Sequence, residues 1–93
     1  MISSFRCKET QKIFNRIVSK KLPQDIQKVA YRKLLMIDAA ISVDDLKIPP
    51  ANHLEKLSGN RLGQYSIRIN KQYRICFIWN ETKADDLEIV DYH

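Results

Sequence analysis

The sequence predicts an α+β fold of two layers, in which an N-terminal helical hairpin packs on a mainly antiparallel β-sheet. Apolar residues recur every three or four positions in the first part of the chain and every second position from residue 65 onward, which indicates helices followed by strands. The length of 93 residues, 44% of them hydrophobic, is enough for one core. We therefore expect a single domain covering residues 1–93.

Two helices are predicted in the first half. The apolar positions of a short first helix are Ile13, Phe14, Ile17 and Val18. A longer helix begins near Asp25, which follows Pro23 and can cap free backbone amides. Its apolar stripe consists of Ile26, Val29, Ala30, Leu34, Ile37, Ala40 and Ile41. Lys28, Arg32 and Lys33 are expected largely on the opposite side.

The second half reads as strands. Pro49 and Pro50 disfavour helix before them, so an irregular crossing is expected over 42–52. Alternating apolar and polar residues predict a strand hairpin and a third strand, at 65–70, 73–80 and 87–90. Further pairing is possible for 53–57 and for the first five residues, which could form an edge strand. One sheet face is covered by the helices and the other stays available.

The composition excludes several kinds of function. An excess of 16 Lys and Arg over 11 Asp and Glu gives a formal net charge of +5, which favours a polyanionic partner. Cys7 and Cys76 lack paired spacing, so neither a disulfide framework nor a zinc site is expected. Gly59 and Gly63 fall in one loop, which excludes a glycine-rich phosphate cradle.

The N-terminus is too polar for a signal peptide, and no apolar run approaches the roughly 18 residues of a membrane-spanning helix. These two absences predict a cytoplasmic protein with no membrane partner.

Two arginines are the first candidates for a binding site. Arg68 and Arg74 lie on neighbouring strands across a short turn, so both could project from the free sheet face and bind phosphate. The alternative is that they only solvate an exposed face. Lys56, Arg61 and Lys71 in neighbouring loops could hold backbone phosphates.

Aromatic residues on the same strands allow two interpretations. Tyr65, Tyr73 and Trp79 could stack on unpaired bases. Their phase matches that of the apolar positions, however, which favours a place in the core.

The chain ends in Asp91-Tyr92-His93, where an imidazole lies beside a phenol and a carboxylate. An imidazole with a pKa of about 6.5 is suited to proton transfer near neutrality. The alternative is a solvated chain end. The apolar strand that leads directly into the tail favours a tail held in place by the sheet.

Taken together, the segments at 53–61 (HLEKLSGNR), 63–70 (GQYSIRIN), 72–77 (QYRICF) and 91–93 (DYH) resemble the HigB toxins. These belong to the RelE/ParE superfamily of type II toxin-antitoxin systems, and the resemblance runs the whole length of the chain. It implies a RelE-like fold and a ribosome-dependent mRNA endonuclease that needs no metal or other cofactor. It also implies neutralisation by HigA, a helix-turn-helix antitoxin through which any contact with DNA would be indirect.

The resemblance also implies a set of catalytic residues. When a ribose 2′-hydroxyl attacks the adjacent phosphate, the enzyme must accept a proton, donate a proton and stabilise negative charge. Arg74 corresponds to the strand arginine of the family and would stabilise the phosphate. Asp91, Tyr92 and His93 correspond to its active-site ending, with His93 transferring a proton, Asp91 orienting it and Tyr92 contacting base or phosphate.

The chain departs from the family motif at two positions, with Glu55 in place of a histidine and Ser58 in place of a lysine. Glu55 could act as the general base, although its charge would repel RNA unless Arg68 or Arg74 offsets it. His53 would share a face with Glu55 in an extended segment and could replace the missing imidazole. The expected substrate-binding residues are Arg68, Lys56, Arg61 and His53.

Two other functions stay open at this point. A ParE-like toxin would inhibit DNA gyrase by protein contact, and a non-catalytic RNA-binding module would keep the basic face without needing His93. The cations of the predicted helices could track ribosomal RNA, namely Lys12, Arg16, Lys20, Lys28 and Arg32.

Overall fold

The computed structural model describes residues 1–91, so that Tyr92 and His93 lie outside the described residues. Two helices, α1 (Lys8–Phe14) and α2 (Gln24–Ala39), precede four strands. The strands are β1 (Glu55–Lys56), β2 (Gln64–Arg68), β3 (Tyr73–Asn80) and β4 (Lys83–Asp91). They form an antiparallel meander in the order β1-β2-β3-β4, which confirms the predicted α+β class.

The core forms where α2 covers one face of this sheet. The helix contributes Ile26, Ala30, Leu34 and Ile37, none of them more than 2% exposed. The sheet contributes Ile67, Ile75, Phe77 and Leu87, all fully buried. Full burial of such side chains stabilises the fold by about 1.5–3 kcal/mol each, so the stripe on α2 fixes which sheet face is covered.

The first helix is shorter than its apolar pattern predicts. It ends at Phe14, and Arg16 then adopts a left-handed backbone with φ of 63°. Ile17 and Val18 are therefore 53% and 63% exposed, and the prediction that they continue the helix is wrong. The reason is local, because the left-handed Arg16 closes the end of the helix: its amide donates to the carbonyl of Ile13 at 3.0 Å, and the amide of Ile17 donates to that of Lys12 at 2.8 Å.

Two predicted positions on α2 also need correction. The helix ends at Ala39, so Ile41 lies beyond it and is 74% exposed. Lys33 was expected on the solvent side but is only 5% exposed. Its ammonium group donates a hydrogen bond to the side-chain carbonyl of Asn52, because the crossing segment folds over this part of the helix.

The crossing over 42–52 is more regular than its prolines predict. It contains two 3₁₀ helices, Val43–Lys47 and Pro50–Asn52, with a cis peptide bond between Ile48 and Pro49. Asn52 is fully buried and its amide donates to the carbonyl of Leu46 at 3.1 Å. The crossing is therefore fixed to the core at Asn52, shortly before β1 begins at Glu55.

The first five residues, for which an edge strand was possible, run along the outer edge of β4. Ile2 and Phe5 form isolated parallel bridges with Ala84 and Leu87. The amide of Ser3 donates to the carbonyl of Ala84 at 2.8 Å. Among residues 1–91, no helix has both the length and the apolar character needed to cross a bilayer.

Candidate functional site

The sheet face away from the helices carries the polar residues of the candidate site. Arg68 on β2 lies directly opposite Arg74 on β3, and Glu55 on β1 lies opposite Ser66. Side chains alternate along a strand, so these four project from one face while Ile67 projects into the core. The expectation that Arg68 and Arg74 share a surface is confirmed.

Arg74 is held in place by its neighbours. Only 7% of the residue is exposed. Its Nε donates to the hydroxyl of Ser66 at 2.7 Å, and its Nη2 donates to the carbonyl oxygens of Ser66, at 3.3 Å, and His53. A buried guanidinium with several acceptors has one orientation, so Arg74 is more than a cation that solvates an exposed strand.

A carboxylate lies beside this guanidinium. Oε2 of Glu55 is 4.0 Å from Nη2 of Arg74, and the Glu55 side chain is 50% exposed. One charge of the pair is thus buried and fixed, whereas the other reaches solvent. The guanidinium of Arg74 thus offsets the negative charge of Glu55, which would otherwise repel RNA phosphates.

The pair opens into a cleft of about 320 Å³. Its walls are formed by His53, Glu55, Arg68, Asn70, Lys71 and Arg74. Three of these residues are permanently or ordinarily cationic and one is a carboxylate, so the cleft has a net positive charge suited to a phosphate chain.

His53 reaches the cleft in a way the sequence pattern did not predict. It was expected in an extended segment, but its φ of 44° and ψ of 57° are left-handed. This conformation ends the Pro50–Asn52 helix and turns the His53 carbonyl toward Arg74. The prediction that His53 and Glu55 share a face through strand alternation is therefore wrong, although both residues line the cleft.

Asn70 is a cleft residue that the sequence analysis missed. Its side-chain oxygen accepts the backbone amides of Gln72 and Tyr73, both at 2.8 Å. Its carbonyl accepts Nε of Arg68 at 3.1 Å. Asparagine is common in turns between strands, because its side chain accepts backbone amides there. An asparagine directly before Lys71 was therefore the sequence signal that could have identified this residue.

Two of the expected substrate-binding residues do not line this cleft. Lys56 follows Glu55 on β1 and pairs with Tyr65, so it projects from the opposite face. Arg61 donates to Gln64 and to Glu88, both at 3.1 Å, and lines a separate hollow. The structure therefore separates Lys56 and Arg61 from Arg74.

Asp91 lies at the end of β4. It pairs with Tyr73, whereas its neighbour Val90 pairs with Arg74, so alternation places Asp91 on the other face from the guanidinium. Its Oδ2 accepts a hydrogen bond from Nε2 of Gln72 at 3.0 Å. The other members of the predicted ending, Tyr92 and His93, lie outside the described residues.

The strand aromatics belong to the core side of the sheet. Tyr65, Tyr73 and Trp79 pack against the core cluster. The rings of Tyr65 and Phe77 have centroids 6.3 Å apart, and those of Phe77 and Trp79 are 6.5 Å apart. The interpretation of these residues as core is confirmed.

Cys76 pairs with Ser66 on the sheet face that carries Arg74, but it is only 1% exposed, and burial raises the pKa of its thiol. In the part of the chain that the structure describes, no group of three or more His, Cys, Asp or Glu side chains could hold a metal ion.

Comparison with known proteins assigns the family. Residues 3–93 match the model of the HigB-like toxins, RelE-like toxins of the type II toxin-antitoxin system HigB. Toxin HigB-1 of Vibrio cholerae is 50% identical over 58 residues, which are 62% of this chain and 61% of that protein. Endoribonuclease HigB of Proteus vulgaris is 33% identical over 94 residues, covering 100% of both chains. The match thus spans less than two thirds of the first relative and all of the second.

Solved structures agree on the fold. A YoeB chain in a YoeB-YefM toxin-antitoxin complex from Staphylococcus aureus superposes with a TM-score of 0.62 at 23% identity, covering 100% of this chain and 95% of that one. YafQ from E. coli has a TM-score of 0.61 at 11% identity and covers 98% of this chain and 91% of YafQ. The family model matches nearly the whole sequence, and the solved toxins share its arrangement of helices and sheet. The chain therefore belongs to the HigB-like family of RelE-like toxins.

Proposed function

We propose that this chain is the toxin of a type II toxin-antitoxin system and acts as a ribosome-dependent mRNA endonuclease. The main support is the Glu55 carboxylate 4.0 Å from the Arg74 guanidinium, at the wall of a cationic cleft. A carboxylate accepts a proton and a guanidinium binds phosphate oxygens, which are two of the three roles that attack by a 2′-hydroxyl requires.

In the proposed reaction Glu55 removes the proton of a ribose 2′-hydroxyl, and the 2′-oxygen forms a bond to the adjacent phosphorus. The bond from phosphorus to the 5′-oxygen of the next nucleotide breaks. The products are a 2′,3′-cyclic phosphate and a 5′-hydroxyl, whose oxygen takes a proton from a general acid. Every transferred atom belongs to RNA or to a side chain.

Arg74 stabilises the charge that gathers on the phosphate during this step. Its hydrogen bonds to Ser66 and His53 fix the guanidinium before substrate arrives, so no reorganisation is needed as charge develops. Arg68 and Lys71, at the rim of the same cleft, bind flanking phosphates. Lys56 and Arg61 contact RNA only beyond the cleft.

The general acid is assigned to His93, with Asp91 orienting it and Tyr92 contacting base or phosphate. Support comes from the turn between β2 and β3. Lys71 lines the cleft, and the next residue, Gln72, binds the Asp91 carboxylate at 3.0 Å. Asp91, the last described residue, is therefore tied to the turn that forms one wall of the cleft.

The proposed partners follow from the family. The toxin acts on mRNA in translating ribosomes, hence in the cytoplasm, and its activity is silenced by a helix-turn-helix antitoxin through which it contacts DNA indirectly. The family is defined by such systems, and the YoeB relative was solved together with the antitoxin YefM.

The test is primer extension on mRNA held in programmed ribosomes, with untagged protein because a C-terminal tag would follow His93. We expect cleavage on ribosomes and not on free RNA. Arg74→Ala abolishes it, and Glu55→Gln lowers the rate about 10²- to 10⁴-fold, the usual contribution of a general base. Glu81→Gln, an exposed glutamate at the β3–β4 turn, is the matched control.

Cleavage that is unaffected by Glu55→Gln would remove Glu55 as the base. Growth arrest without any cleavage on ribosomes would contradict the nuclease itself. A supercoiling assay would then decide whether DNA gyrase is the target.

A further inference from the structure

The outer surface of α2 carries an apolar patch that the proposed nuclease does not use. We define this α2 patch by Ile17, Val18, Val29, Tyr31 and Leu35. Two neighbouring hollows of about 160 and 390 Å³ lie on it, and Tyr31 lines both. Ile17, Val18 and Leu35 are 53%, 63% and 43% exposed. A contiguous exposed apolar surface of this kind marks a site of interaction.

The patch exists because α1 stops early. The left-handed Arg16 turns the chain away from the helix, so Ile17 and Val18 lie beside α2 without being covered. The guanidinium of Arg16 stacks on the ring of Tyr31, with 5.5 Å from its carbon to the ring centroid. This contact joins the short loop to the helix surface.

Cations surround the apolar floor. Arg16 lines one hollow, and Lys28 and Arg32 line the other. Among residues 1–91, no carboxylate lines either hollow. The surface thus has Tyr31 and Leu35 one helical turn apart on its apolar floor and a positive rim around them. Its complement is apolar in the middle and acidic at its edges.

We infer that the α2 patch is the docking surface for an acidic amphipathic helix of the antitoxin. The inference rests on the antitoxin partner proposed above. A helix laid in this groove would bury its apolar anchors against Tyr31 and Leu35 and place its carboxylates near Arg16, Lys28 and Arg32. Ribosomal RNA would satisfy only the cations, because its phosphates gain nothing from contact with leucine, isoleucine and valine.

The patch and the RNA cleft occupy opposite sides of the molecule. α2 packs its inner stripe on the sheet, and the Arg74 cleft opens from the other sheet face. Antitoxin binding and RNA cleavage can therefore be changed separately by substitution.

The experiment measures the affinity of the toxin for the antitoxin encoded beside its gene, by calorimetry. All toxins carry Arg74→Ala, so that they can be produced. We expect Leu35→Glu to weaken binding about tenfold or more, as loss of a central anchor does. The matched control is Ile48→Glu, an apolar residue 77% exposed in the crossing segment, which leaves the affinity unchanged.

A second variant decides the outcome if Leu35→Glu lowers the melting temperature. Arg32→Glu changes an exposed rim residue and is expected to weaken binding, with a smaller loss at high salt because rim charges are screened. Unchanged antitoxin affinity in Arg32→Glu and folded Leu35→Glu overturns the inference. Ribosome affinity that falls in these variants while antitoxin affinity holds also overturns it and assigns the patch to the ribosome.

These measurements need no nuclease activity, so the two proposals fail in different ways. Absence of cleavage by the unmodified toxin on ribosomes would remove the nuclease and leave the docking result standing. Conversely, Leu35→Glu with Arg74 intact should cut RNA normally.

Discussion

At the scale of single residues, the position of Arg74 depends on Ser66. The buried Ser66 hydroxyl accepts Nε of Arg74 at 2.7 Å, so Ser66→Ala leaves a charged donor without this partner. We expect a loss of about 1–3 kcal/mol in the free energy of unfolding, together with slower cleavage. Urea unfolding and primer extension measure the two effects.

Ser58→Ala is the control, because Ser58 is exposed in the loop before β2. Cleavage at the normal rate by folded Ser66→Ala would show that Arg74 needs no support from Ser66.

The buried Lys33 makes the free energy of unfolding depend on pH in the alkaline range. Burial, and to a lesser extent the charge of Arg32, lower the pKa of its ammonium group in the folded protein. Between that lowered pKa and the ordinary value of about 10.4, the unfolded chain holds more protons, so the free energy of unfolding rises with pH. Lys33→Met should remove this rise, as measured by urea unfolding from neutral pH to about pH 10.5.

The matched control for this titration is Lys28→Met, on the exposed side of the same helix. It should keep the slope of the wild-type protein. Parallel pH profiles for wild type and Lys33→Met would show that Lys33 carries no shifted titration.

At the scale of elements, the strand hairpin was predictable, whereas the ends of the helices and the start of β4, at Lys83 and not at residue 87, were not. Alternation decides the face of each residue in β2 and at the start of β3, before the irregularity between Cys76 and Ile78, so Arg68 and Arg74 could be placed on one surface from the sequence. Whether Ile17, Val18 and Lys33 are covered depends on tertiary neighbours, and these residues were placed wrongly. The left-handed His53 depends on the Pro50–Asn52 helix, which the double proline did not reveal.

The connection between α1 and α2 holds an acid-sensitive contact. Glu9 accepts the hydroxyl of the buried Ser19 at 2.6 Å, and this bond lowers the pKa of the Glu9 carboxyl, with help from Lys12 at 3.3 Å. The stabilisation is complete above the ordinary glutamate pKa of about 4.3 and is lost as pH falls through the lowered value.

Glu9→Gln should therefore flatten the fall of the free energy of unfolding in acid, because the amide can accept the same hydrogen bond without titrating. Chemical unfolding between neutrality and about pH 3 measures this. Asp44→Asn serves for comparison, since the Asp44 side chain is 74% exposed and its replacement should leave the slope unchanged. A Glu9→Gln profile as steep as that of the wild type would rule the contact out as the cause.

At the scale of the whole molecule, two separate surfaces each carry a group of cations. Arg68, Lys71 and Arg74 face a cleft on the open side of the sheet, whereas Lys28 and Arg32 surround an apolar groove on the outside of α2. Net charge alone could not distinguish these surfaces. Apolar residues accompany the cations on α2, and polar residues accompany them in the cleft, so the two surfaces suit a protein helix and an RNA strand respectively.

This division predicts different salt dependence for the two sets of cations. Each phosphate neutralised on single-stranded RNA contributes a slope of about −0.7 to the logarithm of affinity against the logarithm of salt concentration. The RNA carries 2′-O-methyl groups so that it cannot be cleaved. Arg68→Gln should make the slope shallower by about 0.7, the contribution of one phosphate contact, whereas Arg32→Gln should leave the slope unchanged. Fluorescence anisotropy at several salt concentrations provides the slopes. An arginine that does not contact the RNA releases no counterions when RNA binds. An equally shallow slope in both variants would therefore mean that the helices and the cleft bind the same RNA.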